Sequence, residues 1–412
     1  MGEPSDIATL VVKRSVQIAQ CCDLERFCVQ LLTTNGVSHN TRPHQRRTPS
    51  SRWRTGNQEE VVTTKFHRVA AIGVAVLISA GTLVACGAND AAEGGDDPVI
   101  ALLLPETKTT RYETFDKPLF EAKVKELCEE CEVKYFNADG DVNAQSEQVD
   151  SAITQGADVV VLDPVDANTA TSLIKTARES DVPTVAYDRF IEGADYYMSF
   201  DNETVGRMQG EALIEAMGDK GSIIMLNGDP RDPNAPVFKK GAHSAIDKSN
   251  LKVIAEYDNP DWSPENANQF TTDQLTRFGN DRIQGIYAAN DGQAGGAISA
   301  LKGADVKELP PVTGQDAEVT AIQRIVAGEQ RMTIYKSIKE QAEKAAEVAV
   351  AIARGDEVTG ASDYEGVPSF IFDPVVVTQD NIMDTVVADG FWSVDDICTA
   401  DYADACAAAG VK

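Results

Sequence analysis

The chain contains 412 residues, of which 42% are hydrophobic, so it can form two or three domains with substantial cores. Its formal net charge is −28. Proteins that bind nucleic acid neutralise its phosphates with Lys and Arg, so this balance argues against a nucleic-acid partner.

The beginning of the chain differs in charge from the remainder. Residues 1–68 carry a balance of +4, whereas residues 69–412 carry −32. Within residues 1–60, arginines cluster among Ser, Thr and Pro. This extension is either a basic arm or the product of an open reading frame that was assigned too far upstream. We favour the second interpretation, in which 1–60 is non-native or disordered and translation starts near Val61 or Val62.

Residues 61–86 have the pattern of an export signal. A short basic stretch precedes the uncharged run Val69–Ala85, and small residues come before Cys86. The ending L-V-A-C resembles a bacterial lipobox, in which the cysteine is lipidated and becomes the new N-terminus. The alternative is a transmembrane helix, although 17 residues lie at the lower limit for crossing a bilayer. We therefore expect an extracytoplasmic lipoprotein on the cell membrane, with 87–98 as a flexible tether.

Four cysteines follow the lipobox, and they form two close pairs in sequence. In an exported protein this spacing predicts local disulfides between Cys128 and Cys131 and between Cys398 and Cys406. The first pair has the C-x-x-C form of redox proteins, but it follows a predicted helix instead of starting one, which favours a structural role. His243 is the single histidine after residue 68, so we expect no zinc site.

From residue 99 onward, strand-like and helix-like segments alternate, which predicts parallel sheets covered on both faces. The expected strands are Val99–Leu104, Val133–Phe136, Asp158–Asp163, Pro183–Tyr187, Ser222–Asn227, Lys252–Glu256, Gln284–Ala289, Pro311–Gly314 and Met332–Tyr335. The expected helices are 115–131, 142–156, 167–180, 202–217, 264–278, 317–328 and 337–355. So many strands favour two α/β lobes. The sequence contains no phosphate-binding glycine motif, and we assign the glycines of 292–296 to helix packing.

Polar or aromatic side chains follow nearly every predicted strand, where ligands bind in open α/β sheets. They include Arg111, Tyr112, Asp188, Arg189, Asp232, Asn234, Trp262, Asn290, Asp316 and Lys336. Sugar hydroxyls both donate and accept hydrogen bonds, so carboxylates, amides and cations suit them. An aromatic face suits the C–H side of a pyranose. A turn or helix-cap role explains any single Asp or Asn equally well, whereas the repetition favours a sugar site.

The segments that carry these residues resemble the xylose-binding protein family, the receptors of sugar ABC transporters. They include T-R-Y-E-T-F-D-K (110–117), A-Y-D-R (186–189), D-W-S-P-E-N-A (261–267), A-N-D-G-Q-A-G-G-A-I (289–298) and M-T-I-Y-K (332–336). The resemblance covers roughly 99–392. It implies the type I periplasmic binding protein fold, α/β with two doubly wound parallel-sheet lobes that close on the sugar about a three-strand hinge. The crossovers would lie near Ser199–Asn202, Lys336–Ser337 and Val367–Phe370.

By the same resemblance, the first lobe comprises 99–201 plus 337–368 and the second 202–336 plus 369–412. The resemblance adds Lys117 to the expected sugar contacts. The sequence departs from the family pattern in three places: Tyr112 stands where the family often has Trp, Pro233 replaces an Asn, and one extra residue precedes Asp116-Lys117.

These observations predict a receptor that delivers a D-xylose-like aldopentose to the permease and ATPase subunits of an ABC importer. We expect a monomer that uses no cofactor or metal, is not an enzyme, and meets the membrane through its lipid anchor only. Another monosaccharide such as glucose, ribose, arabinose or galactose is the first alternative. A glycosidase would need paired carboxylates, for which Asp232 and Asp316 are candidates. A sugar-sensing repressor would share the fold but would need a helix-turn-helix within residues 1–60.

Overall fold

The computed structural model describes residues 97–412. The predicted N-terminal extension, the signal peptide with Cys86 and most of the tether lie outside the described residues.

Strands and helices alternate through most of the described chain. The strands are β1 (Val99–Leu104), β2 (Glu132–Asn137), β3 (Val159–Leu162), β4 (Thr184–Tyr187), β5 (Tyr196–Phe200), β6 (Gly221–Asn227), β7 (Leu251–Asp258), β8 (Gly285–Ala288), β9 (Thr333–Tyr335), β10 (Ser362–Tyr364), β11 (Val367–Phe372) and β12 (Val375–Val377). The helices are α1 (Lys117–Leu127), α2 (Val142–Thr154), α3 (Ala167–Glu179), α4 (Asn202–Met217), α5 (Asn234–Ile246), α6 (Pro264–Phe278), α7 (Asp291–Gly303), α8 (Val319–Val326), α9 (Ile338–Arg354), α10 (Val394–Ile397) and α11 (Ala403–Ala409).

The first lobe is built on a seven-stranded sheet with the order β10-β11-β5-β4-β3-β1-β2. All neighbouring strands in it are parallel except β10 and β11. Successive residues of β1 enter two different cores, because side chains alternate across a strand. Ile100, Leu102 and Leu104 pack with α1 and α9, whereas Ala101 and Leu103 pack with α2 and α3. The sheet is therefore covered by helices on both faces, as the sequence predicts.

The second lobe contains the parallel strands β7-β6-β8 and the antiparallel pair β9-β12. The segment predicted as a strand at 311–314 forms only an isolated bridge from Val312 to Ile286, and the next residue, Gln315, forms another with Ile334. Helix α7 lies very close to α6, where a Cβ atom added to Gly296 would stand 2.2 Å from the carbonyl oxygen of Pro264. Only glycine permits this approach. The glycine-rich stretch therefore serves helix packing, as expected.

Three short connections join the lobes. They run from β5 to α4, from β9 to α9 and from β11 to β12. The third lies at residues 373–374, beyond the position inferred from the resemblance. Strand β11 remains paired with β5 as far as Phe372, opposite Phe200, so the lobe boundary expected at 368/369 falls inside a strand.

The helix predicted at 115–131 begins with a π turn, Tyr112–Asp116, that continues into α1. A π turn accommodates one more residue than an α-helical turn does, and such turns are frequent at functional sites.

The C-terminal segment, residues 378–412, packs on the second lobe and contains a disulfide between Cys398 and Cys406. A second disulfide joins Cys128 and Cys131 after α1. Both pairings are those predicted from the spacing. Among the helices of residues 97–412, none is both long enough and apolar enough to cross a membrane.

Replacing both Cys398 and Cys406 with Ser should lower the free energy of unfolding by about 2 kcal/mol, because the bond closes a short loop in the unfolded chain. Denaturant unfolding without reductant measures this change. The double variant Cys128→Ser/Cys131→Ser is the matched control and should lose less, since its loop is shorter. Unchanged stability in the Cys398/Cys406 variant would contradict the prediction.

Candidate functional site

The cleft between the lobes encloses a small polar cavity at the carboxyl ends of the strands. Its walls contain ten of the eleven binding residues predicted from the sequence, together with three others. The lining residues are Thr109, Arg111, Tyr112, Asp188, Arg189, Asp232, Asn234, Phe238, Trp262, Asn290, Gln315, Asp316 and Lys336.

Arg111 is held from three sides and is only 3% exposed. Its Nε and Nη2 atoms donate to the carboxylate of Asp116, at 3.0 and 2.7 Å. Its Nη1 donates to Asp188 at 2.8 Å, and Nη2 also donates to Gln341 at 2.7 Å. Burial disfavours the charged guanidinium, but the two carboxylates keep its pKa well above the usual value. Arg111 is therefore a fixed, permanently charged donor in the wall of the cleft.

Asp188 has an unusual backbone for its position at the end of β4, with φ of 59°. Aspartate tolerates this left-handed conformation better than most residues. The carbonyl oxygen of Asp188 accepts hydrogen bonds from Ser199 Oγ at 2.6 Å and from Asn234 Nδ2 at 3.1 Å. Burial opposes ionisation of the carboxyl, but the charges of Arg111 and Lys336 lower its pKa below the ordinary range. The carboxylate is consequently a hydrogen-bond acceptor at neutral pH.

Arg189 connects the two lobes across the cleft. Its Nε lies 2.9 Å from Oδ2 of Asp232 on the second lobe and 3.4 Å from Asp163 on its own lobe. Its Nη1 donates to the carbonyl oxygen of Pro164 at 2.8 Å. Burial raises the pKa of Asp163 well above normal despite the nearby Arg189. The contact with Asp232 shows that the lobes are closed in this structure.

Trp262 closes one side of the cavity on the second lobe. Its indole Nε1 donates to Asp232 at 3.1 Å, and its ring meets Phe238 edge to face at a centroid distance of 6.3 Å. The backbone of Trp262 has φ of 52°, which is rare for a bulky residue and costs on the order of 1–3 kcal/mol. A Cβ on Gly228 would lie 2.1 Å from the indole, so this residue must be glycine. The backbone at Trp262 is therefore strained, and this conformation places the indole at the cleft.

Lys336 and Asp316 form the third charged pair of the cavity, with Nζ and Oδ1 2.9 Å apart. Asp316 also has a left-handed backbone, with φ of 92°. The adjacent Gln315 has its Oε1 atom buried without a hydrogen-bond partner in the described part of the chain. Asn290 caps α7 by accepting a hydrogen bond from the backbone N–H of Gln293. Both the cap role and the cavity position that the sequence suggested for Asn290 are therefore present.

Lys117 is the predicted binding residue that the cavity does not include. It is the first residue of α1, and its Nζ lies over the ring of Tyr135 at 4.2 Å from the centroid. Lys117 therefore contacts β2 and not the cleft, which corrects the contact inferred from the resemblance.

Several important residues were not among the predicted contacts. Thr109, Phe238 and Gln315 line the cavity, and Asp116 and Gln341 orient Arg111. Gln315 belongs to the polar residues that the sequence places after a predicted strand, next to Asp316, although it is not among the sugar contacts expected from the resemblance. The position of Gln341 had no such signal, because it lies 230 residues from its partner in sequence.

The charges of the cavity neutralise one another. Each lining cation, Arg111, Arg189 or Lys336, lies within 3 Å of a carboxylate. Within residues 97–412, no group of three or more His, Cys, Asp or Glu side chains is placed to hold a metal ion. The arrangement offers oriented donors and acceptors beside an indole, which suits a neutral ligand rich in hydroxyls.

Glu318 lies beside the cavity, two residues after Asp316. Burial and the negative charge of Asp316 raise its pKa from 4.5 to about 7, with a further contribution from Glu106 of the first lobe. The folded chain therefore binds more protons than the unfolded chain between these two values. The contribution of Glu318 to the free energy of unfolding should therefore fall as the pH rises from 4.5 through 7.

Glu318→Gln should remove this pH dependence, because glutamine carries no titrating proton. We expect its free energy of unfolding to exceed that of the wild type by roughly 1–3 kcal/mol at pH 8. The difference should vanish near the unfolded pKa of 4.5. Denaturant unfolding across this range measures it, with the exposed Glu357→Gln as control. A difference that is the same at both ends of the range would contradict the assignment.

Comparisons with known proteins agree with this architecture. A family model described as periplasmic binding protein domain matches residues 100–357. The D-xylose-binding periplasmic protein of Escherichia coli (strain K12) is 34% identical over 302 residues, which cover 71% of this chain and 90% of that protein. The multiple sugar-binding periplasmic protein SbpA of Azospirillum brasilense is 30% identical over 347 residues, 77% of this chain and 96% of that protein.

A solved structure shares the fold. It is an ABC transporter solute binding protein from Clostridium phytofermentans with bound β-D-glucose, 25% identical, with a TM-score of 0.66. The match covers 73% of this chain and 99% of that one. The two lobes, the short connections and the polar cleft described above are thus features of a known architecture, the type I periplasmic binding protein fold. The chain belongs to the periplasmic binding protein family, in which D-xylose-binding proteins are its relatives.

Proposed function

We propose that this chain is an extracytoplasmic receptor that binds a neutral monosaccharide, with D-xylose as the first candidate, and delivers it to an ABC importer. It acts by closing its two lobes on the sugar, without catalysis and as a monomer. The observation that carries this proposal is the mutual neutralisation of the charges in the cleft.

Paired charges favour a neutral ligand because an anionic or cationic one would leave a buried charge without compensation. Arg111 and Arg189 contribute rigid donors, and Asp188, Asp232 and Asp316 contribute acceptors. Each is 3–7% exposed, so a bound hydroxyl would exchange its water for hydrogen bonds of fixed direction. Such a site distinguishes sugars by the orientation of their hydroxyl groups.

The choice of an aldopentose rests on similarity. The Escherichia coli relative is a D-xylose-binding protein. Another monosaccharide is the second candidate, because the similar structure from Clostridium phytofermentans holds β-D-glucose.

Hinge closure follows from the distribution of the cleft residues. Arg111, Tyr112, Asp188 and Arg189 belong to the first lobe, whereas most other lining residues belong to the second. A ligand that touches both lobes gains contacts on closure, and this difference in contacts shifts the equilibrium towards the closed state. The closed surface would then be recognised by the permease of the importer, which its ATPase subunits drive.

The place of action follows from the sequence of the export signal. We propose that the mature chain begins at Cys86 and is held on the outer face of the cell membrane by lipid on that cysteine. One acyl chain binds a membrane only weakly, whereas two or more bind it firmly.

Removing a cleft charge should nearly abolish sugar binding. Arg189→Ala and Asp316→Ala each leave a buried partner without compensation, which should cost roughly 2–5 kcal/mol, or about 30- to 5000-fold in affinity. Titration calorimetry with xylose, glucose, ribose, arabinose and galactose measures the effect.

The matched controls are Arg282→Ala and Asp305→Ala, which remove exposed charges that do not line the cavity and should leave affinity unchanged. A wild type that binds none of the five sugars would reject the substrate class. If the wild type binds one of these sugars and both cleft variants bind it equally tightly, the proposed site is rejected.

Cys86→Ala should release the protein from the membrane into the soluble fraction and abolish incorporation of labelled fatty acid. If the Cys86 variant remains in the membrane fraction, the run Val69–Ala85 acts as a transmembrane helix and the lipid anchor is rejected.

A further inference from the structure

An aromatic contact joins the two lobes away from the sugar cavity. Phe115, in the π turn of the first lobe, stacks on Phe391 with ring centroids 4.0 Å apart and planes inclined by 21°. The same ring meets Trp392 edge to face at 4.9 Å. We call these three residues, Phe115, Phe391 and Trp392, the aromatic clasp. None of the three lines the sugar cavity.

The clasp residues of the C-terminal segment are fixed to the second lobe. Trp392 Nε1 donates to the carbonyl oxygen of Ala317 at 2.8 Å. Phe391 is 7% exposed and packs against Tyr335, with ring centroids 5.1 Å apart. Asp389 accepts hydrogen bonds from the hydroxyls of Tyr335 and Ser337, at the connection between the lobes. The two rings therefore move with the second lobe.

On the first lobe, the clasp is attached to the loop that carries Arg111. Phe115 directly precedes Asp116, whose carboxylate orients Arg111. On the second lobe, Ala317 directly follows Asp316, another residue of the cavity. The clasp thus connects the backs of two ligand-binding loops, one from each lobe.

We propose that the aromatic clasp forms when the lobes close, and that it raises affinity for any sugar in the cleft without contacting the sugar. This inference rests on the proposed function, because it assumes that sugar binding and closure are coupled. Separation of the lobes would remove Phe115 from Phe391 and Trp392, so the clasp stabilises the closed state only.

A contact of this kind changes the equilibrium between open and closed states by the same amount for every ligand. Its loss should therefore weaken all sugars by one common factor. Substitution of a residue that touches the sugar instead changes the ratio of the affinities for different sugars. The two kinds of residue can be separated by comparing several ligands.

The test is Phe115→Ala in the full chain, measured by titration calorimetry with each sugar that the wild type binds and by stopped-flow dissociation. A stacked aromatic pair and its buried surface predict a loss of affinity on the order of 10-fold. The loss should be equal for all sugars and should appear as faster dissociation. The midpoint of thermal unfolding without sugar should change little, because the open form lacks the contact.

Phe270→Ala is the matched control, since Phe270 stacks on Tyr257 within the second lobe, with centroids 5.0 Å apart. It should lower stability and leave sugar affinity unchanged. If Phe115→Ala does not fold, Phe115→Leu retains the apolar volume without the stacked ring and decides the question in the same way.

The outcomes distinguish the two proposals. A wild type that binds no sugar rejects the receptor function and the clasp with it. A wild type that binds sugar, together with a folded Phe115 variant of equal affinity and dissociation rate, rejects the clasp alone. A loss of affinity that differs from sugar to sugar also rejects the clasp, because Phe115 would then act through the residues that touch the sugar and not through closure alone.

Discussion

The compensation of buried charge is the constraint on which the rest of this structure depends. Three cations and their carboxylate partners occupy a cleft in which the charged residues are at most 7% exposed. An uncompensated charge there would be very costly, so each guanidinium or ammonium group requires a carboxylate nearby. One of the carboxylates that compensate Arg189, that of Asp232, lies on the opposite lobe. The same ion pair therefore compensates a buried charge and holds the two lobes together.

Much of this arrangement could be predicted from sequence, because the positions of cleft residues follow from a general property of parallel sheets. Loops that leave the carboxyl ends of parallel strands meet at one edge, so polar residues after each apolar run converge. Strand β1 was predicted with its observed bounds, and Asp188, Asp232 and Asp316 all lie where the rule places them. The rule requires only that strands be recognised, and buried parallel strands have a clear apolar signal.

Other parts of the fold and the site depend on contacts that hydrophobic periodicity does not reveal. Helix α7 was not among the predicted helices, because it is rich in Gly and Ala, is buried on several sides and so lacks an amphipathic pattern. The π turn at Tyr112–Asp116 has no periodicity signal in the sequence, and neither has the contact of Lys117, which follows that turn, with Tyr135. Gln341 acts through a tertiary contact, and nothing in its local sequence indicates a role beside Arg111.

Selectivity and affinity can accordingly reside in different parts of the molecule. Because the cleft charges already neutralise one another, a neutral sugar gains little from net electrostatic attraction, and it is distinguished by the directions of its hydroxyl groups. Those directions are set by fixed side chains such as Arg111, which Asp116 and Gln341 hold in place. The free energy of closure is a separate quantity, and contacts outside the cavity, including the aromatic clasp, contribute to it equally for every ligand. A receptor built in this way can change its affinity by altering Phe115 or Trp392 while its preference among sugars remains the same.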